Sequence, residues 1–159
     1  ASPAIYEVVA INRAGESASP AAGGAPRQIW ALTNNLPWDG TGDGGMLADP
    51  NRNGRPNILE YLHGLNPRVA TGINPLRTEI DPVSGNLVLR FRRNRAATDV
   101  QERVVWKSSL DGEGAWSPHG VATHLEGADP EEQGIDWFRA EVPVGENEAA
   151  KFLRLEVSD

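Results

Sequence analysis

Between Asp49 and Glu60 the chain spaces oxygen-bearing side chains as a shell around a hard cation would need them. Asp49, Asn51, Asn53, Asn57 and Glu60 hold the first, third, fifth, ninth and twelfth places of the stretch, and Gly54 holds the sixth. Ca²⁺ takes about six to eight oxygens at roughly 2.3–2.6 Å. Asp49, Asn51 and Asn53 offer side-chain oxygens, Arg55 its backbone carbonyl, and Asn57 an oxygen that acts directly or through a water. Glu60 closes the shell with both carboxylate oxygens. Gly54 permits the sharp reversal at the sixth place, where a Cβ would be strained. The stretch satisfies D-x-[DN]-x-[DN]-G-x₅-E at every fixed place.

Asp, Asn, Gly and Pro also build metal-free surface turns, so composition alone does not decide for a cation. Two features favour one: the register runs unbroken to a carboxylate, and that carboxylate sits on an apolar, helix-like segment. Pro56 departs from a true EF-hand, because it fills the eighth place, where paired loops carry an apolar bridging residue. The loop is therefore expected to act unpaired. With only two carboxylates in the set, the expected affinity is weak, on the order of 10⁻⁴–10⁻³ M. A second, overlapping ligand pattern begins at Asp39 and Asp43, but Asp49 falls one place short of closing it.

Other chemistry is poorly supported. His63, His119 and His124 are scattered and form neither a metal-ligand nor a nucleophile pattern. No glycine-rich phosphate loop is present. Glu131-Glu132 lies in a turn-like stretch and reads as solvated charge rather than an acid–base pair. Arg90, Arg92, Arg93 and Arg95 fit a solvent face or a guarded sheet edge better than a polyanion site. The five tryptophans raise sugar stacking as an option. Trp106 and Trp137 are expected to fill a core, which leaves Trp116, beside a turn, as the best exposed platform. The chain is expected not to be an enzyme.

Its 159 residues suffice for one ordinary domain or two small ones, and 39% hydrophobic with 23% charged residues suits a globular chain. A net charge of −7 argues against general affinity for nucleic acid or anionic membrane. No apolar run approaches the roughly 20 residues of a spanning helix, so no membrane insertion is expected. The absence of cysteine excludes disulfides and thiolate ligands. The chain starts at Ala1 without a visible signal peptide, as a processed product or a piece of something longer would.

The elements that must position the loop can be read in order. Residues 4–12 are β-branched and aromatic and read as a strand, followed by a turn at Asn12-Arg13-Ala14-Gly15 and a linker from Ser19. Such a strand needs a partner, in this chain or in a neighbour. Residues 26–35 read as a helix with Pro26 in its first turn and an apolar stripe of Ile29, Leu32 and Trp30. A glycine-rich loop spans 38–47. A second helix spans 56–63, packing through Ile58, Leu59 and Leu62 and stopped by Gly64. The two helices are expected to pack on each other around the loop. From Leu76 the period becomes two, with alternating runs around 87–92, 103–108, 137–140 and 152–157. Turn signals separate them at Ser84-Gly85-Asn86, Asp111–Gly114, Gly127–Pro130 and Gly145–Asn147. The expected fold is mainly β: an antiparallel Ig-like β-sandwich over 73–159, preceded by a calcium-binding helix-loop-helix over 26–72 and a strand-and-linker segment over 1–25.

Two resemblances add to this. Tyr6-Glu7-Val8-Val9-Ala10-Ile11-Asn12-Arg13-Ala14-Gly15-Glu16-Ser17 resembles the last two strands of a fibronectin type III domain, whose earlier strands are absent. Residues 26–67 resemble a region of large secreted bacterial proteins that precedes a C-terminal β domain, through Leu36-Pro37, Ala48-Asp49-Pro50-Asn51-Arg52-Asn53-Gly54, Asn57, Glu60-Tyr61, Gly64 and Pro67. The resemblance continues through Leu89-Arg90-Phe91-Arg92-Arg93, Trp116-Ser117-Pro118 and Phe152-Leu153-Arg154-Leu155. The calcium loop in that region is similar to those of dockerins and thrombospondin type 3 repeats. Asn51 and Asn53 stand where that family usually has Asp. The resemblance implies a non-enzymatic extracellular or cell-surface module with structural Ca²⁺, structural or adhesive in role. Its expected partners are neighbouring chains joined by addition of strand 4–12. The alternative is a carbohydrate-binding appendage of a secreted hydrolase, with polysaccharide as partner.

Overall fold

Period-two alternation of apolar residues sets which side each strand turns inward. The computed structural model describes residues 25–110, 115–145 and 151–158, together with the backbone course of 6–11. The expected turn at 12–15, most of the linker, the 111–114 turn and Glu146-Asn147 lie outside the described residues. In chain order the elements are β1 (Tyr6–Ile11), α1 (Pro26–Thr33), α2 (Asn57–His63), β2 (Leu76–Ile80), β3 (Leu87–Asn94), β4 (Gln101–Lys107), β5 (Ala122–Ala128), β6 (Ile135–Val142) and β7 (Phe152–Ser158). The chain is mainly β with two helices.

The strands form two sheets. One has the order β2-β3-β6-β5 and is antiparallel throughout; the other has the order β1-β7-β4. β4 runs antiparallel to β7, whereas β1 runs parallel to it, with Tyr6 opposite Leu153 and Val8 opposite Leu155. Leu87, Leu89 and Phe91 of β3 share one core with Val104 of β4 and with Leu153, Leu155 and Val157 of β7. Phe91 stacks on Phe138 of β6, with ring centroids 5.6 Å apart.

Ile58, Leu59, Tyr61 and Leu62 of α2 belong to that same core, so it is continuous across residue 72. Helix α2 is buried along its whole length and is pinned to β3 and the chain after it. Tyr61 donates its hydroxyl to Asp99 (2.6 Å), Asn94 donates to the Tyr61 carbonyl (3.3 Å), and His63 Nδ1 meets the Arg92 carbonyl at 2.7 Å. Gly64 ends the helix at φ 69°, the left-handed conformation that glycine adopts without strain. A Cβ there would also lie 2.3 Å from Ile135 Cδ1, so a larger residue would have to displace that methyl as well.

Several expectations need correction. In α1 the apolar stripe is not the packing face: Ile29 and Leu32 are 56% and 58% exposed, while Ala31 is buried and Trp30 packs on the core. A helix this short is placed by its neighbours, here through the Trp30–Tyr61 ring contact at 5.4 Å. A fifth sheet-forming run, β5, carries no apolar alternation and is exposed almost throughout. It exists because β6 offers it a backbone ladder, and it takes in Gly127 and Ala128, where a turn was expected; a bulge lies between Leu125 and Gly127. Trp137 does not fill the core. It stands opposite Arg92 on the other side of β6, under Arg77 (4.7 Å from guanidinium carbon to ring centroid), with its ring N–H donated to Asp129. Trp106 does pack against the core. Trp116 is half-buried beneath Arg154, whose guanidinium carbon is 4.4 Å from the ring centroid.

Candidate metal centre

Asp and Asn side chains readily bond backbone N–H groups a few residues on, and that preference folds the 49–60 loop. Asp49 Oδ1 and Asn51 Oδ1 both accept the Asn53 N–H, at 3.2 and 3.1 Å. Asp49 Oδ2 accepts the Gly54 N–H at 2.8 Å, and Asn53 Oδ1 accepts the Arg55 N–H at 2.8 Å. Gly54 sits at φ 84°, as the expected reversal requires, and Arg52 also takes a positive φ of 56°. The chain then enters α2, which carries Glu60 inward.

Glu60 is the centre of the cluster. It is 1% exposed, and its two oxygens differ sharply in what they meet. Oε1 accepts Asn53 Nδ2 at 2.7 Å and lies 3.5 Å from Asn51 Nδ2 and 3.4 Å from Arg55 Nε. Oε2 is buried and has no hydrogen-bond partner. Burying a carboxylate oxygen without a donor or cation is costly, on the order of 1–3 kcal/mol or more. A cation that joined it would lift that penalty.

Of the six residues expected to hold the ion, Asp49, Asn51, Asn53 and Glu60 are brought together. Arg55 reaches the cluster with its guanidinium, a group the spacing pattern left out. Asn57 donates Nδ2 to the carbonyls of Asp43 (2.7 Å) and Gly45 (2.8 Å), which braces the preceding loop, and its Oδ1 is buried without a hydrogen-bond partner. The second site suggested by Asp39 and Asp43 is not assembled. Asp39 accepts the backbone N–H and hydroxyl of Thr41, which hold its carboxyl below the usual range, and Asp43 pairs with Arg68 at 3.1 Å.

The loop also reaches forward along the chain. Asn51 Nδ2 lies 3.2 Å from the Val69 carbonyl and 3.5 Å from that of Asn66, and Arg55 Nη1 lies 3.5 Å from the Ile73 carbonyl. Backbone carbonyls carry no sequence signature, so these contacts were invisible before the fold. The side chains gathered here are two carboxylates and two amides; both amides turn Nδ2 toward Glu60 and Oδ1 toward backbone N–H groups, so a hard cation would be held once the amides turned their oxygens inward. No group of three or more His, Cys, Asp or Glu side chains is placed to hold a metal among the described residues, so such a site depends on its asparagines.

Elsewhere the described charges are largely paired. Arg90 donates to Glu126 (2.8 Å) and to Glu79, Arg139 to Asp81 (2.5 Å) and Glu141 (3.1 Å), Arg95 to Asp136 (2.6 Å), and Arg93 to Glu102 (2.5 Å). Arg92, nearly buried, donates to Glu132. An open groove of about 430 Å³ runs between Arg77, Glu79, Arg90, Glu126 and Trp137. No protein-family model, curated protein or solved structure matches the chain.

Proposed function

We propose that this chain is a non-enzymatic extracellular or cell-surface module in which a calcium ion held by the 49–60 loop ties that loop to α2 beside an Ig-like β-sandwich. The observation that carries this is the buried Glu60 carboxylate with one oxygen unpartnered and the other facing Asn53 and Asn51, in a loop whose turn Asp49 closes. Those four side chains would hold the ion, joined by the Arg55 carbonyl. The ion supplies a divalent charge that joins the loop to α2, and α2 shares the core of both sheets, so the loop's order is passed to the fold. Weak affinity suits an extracellular setting, where calcium is plentiful. The resemblance of 26–67 to dockerin and thrombospondin type 3 loops, and of 6–17 to fibronectin type III strands, points the same way.

A structural or adhesive role with self-association belongs to this proposal. β1 is the edge of its sheet and pairs on one side alone, so a neighbouring copy's strand can make the same ladder. The alternative, a carbohydrate-binding module, draws support from the groove beside Trp137 rather than from Trp116, which Arg154 covers. Retention on polysaccharide, lost in Trp137→Ala, would favour it.

Thermal melting with about 10 mM Ca²⁺ against EDTA tests the calcium site. With a dissociation constant near 10⁻⁴–10⁻³ M, the ion stabilises by roughly 1.4–2.7 kcal/mol, or about 3–10 °C in Tm. Glu60→Gln should erase the difference. A melting curve indifferent to EDTA would refute the proposal.

A further inference from the structure

We propose that Arg55 is a built-in competitor of the cation: guanidinium and divalent ion exclude one another at Glu60, and because the same guanidinium reaches the Ile73 carbonyl, ion binding loosens the segment leading into β2. The inference rests on a cation reaching Glu60. Arg55 Nε is 3.4 Å from Glu60 Oε1, and its Nη1 is 3.5 Å from the Ile73 oxygen. Asn51 Nδ2 makes a parallel bridge, lying 3.5 Å from Glu60 Oε1, 3.2 Å from the Val69 carbonyl and 3.5 Å from the Asn66 carbonyl. Two side chains of the loop thus span the same gap, from the buried carboxylate to residues 66–73.

None of these contacts is short, so each is readily exchanged. Arg55 places a guanidinium charge beside Glu60. A divalent ion at the carboxylate would repel it in a partly buried setting where charges interact strongly. By reciprocity, whatever Arg55 gains by holding Glu60 and Ile73 is lost from cation affinity. This adds a second cause of weak binding to the shortage of carboxylates, and it makes the lead-in to β2 responsive to calcium.

The test uses the full chain, with calcium titration calorimetry and hydrogen exchange over 66–75 in Ca²⁺ and in EDTA. In the wild type, exchange over 66–75 should speed up when calcium binds. Arg55→Gln should bind Ca²⁺ at least about tenfold more tightly, with fast exchange over 66–75 in both conditions. Arg55→Lys keeps the charge but not the fork that spans both oxygens. It should gain less affinity than Arg55→Gln while still exchanging faster than wild type in EDTA. Wild-type binding with no gain in Arg55→Gln overturns this proposal and leaves the calcium site standing. No calcium binding by either protein overturns both.

Discussion

The molecule carries two charged clusters, and they are built on opposite terms. On the outer side of the β2-β3-β6-β5 sheet arginines meet carboxylates in pairs, Arg90 with Glu79 and Glu126 of the neighbouring strands and Arg139 with Asp81 after β2 and Glu141 of its own strand. In the 49–60 loop one carboxylate is almost wholly buried, one of its oxygens takes a short hydrogen bond from Asn53 and faces two more distant nitrogens, and the other oxygen has no donor. The first cluster is balanced and half in water. The second turns on one carboxylate that is out of water while its neighbours are half exposed. Balance in solvent suits a guarded surface, whereas a buried carboxylate oxygen without a donor carries a desolvation cost that a positive ligand would offset.

The largest expected effect comes from removing that carboxylate. Glu60→Ala should abolish calcium binding and destabilise the calcium-loaded protein by about 3–5 kcal/mol, because the stabilisation by the bound ion goes and the Asn53 amide loses its acceptor. Chemical denaturation in calcium, with calorimetry alongside, measures both; a loss below about 1 kcal/mol would place Glu60 on the same footing as the sheet face.

Acid separates the clusters next. Burial holds His63 neutral and pushes its pKa down to about 4, with the Arg92 carbonyl opposing that shift and the Arg55 and Arg92 charges adding to it. The unfolded chain protonates this histidine near pH 6.5 while the folded chain does not, so stability is full above about 6.5 and falls between there and about 4, by about 3 kcal/mol. The sheet-face carboxylates respond later. Arg95 holds Asp136 low, and Asn86 and then Arg139 hold Glu141 low, so their stabilisation is present above the ordinary carboxylate range and is lost only as pH falls through the lowered values. Stability measured from pH 7 to 3 should therefore decline in two stages, and His63→Phe should flatten the first.

The smallest effect is expected on the sheet face itself. Arg90 and Glu126 are each about a quarter exposed (26% and 28%), so a double-mutant cycle between them should yield under about 1 kcal/mol and less in 1 M salt. A coupling of several kcal/mol would show that the face is a rigid ligand platform, and would favour the polysaccharide alternative beside Trp137.

What could be read in the chain before folding was local. Alternation at 87–92, 137–140 and 152–157 marks β3, β6 and β7, because one buried side needs apolar residues at every second place. Pro56, the Ile58-Leu59-Leu62 face and Gly64 delimit α2 through chemistry confined to a single helical turn at each end. The Asp-x-Asn-x-Asn-Gly spacing likewise determines the loop's turns, since each side chain bonds backbone within five residues of itself. Tertiary contacts decided the rest. β5 has no apolar signature because its register comes from β6, and Ile29 and Leu32 face solvent because Trp30 meets Tyr61 instead. Asn57 braces the preceding loop and the Arg55 guanidinium lies between Glu60 and the segment before β2 because residues distant along the chain, Asp43 and Gly45 for one and Ile73 for the other, present their carbonyl oxygens there. A backbone oxygen is the same in every residue, and only the path of the folded chain says where it will be.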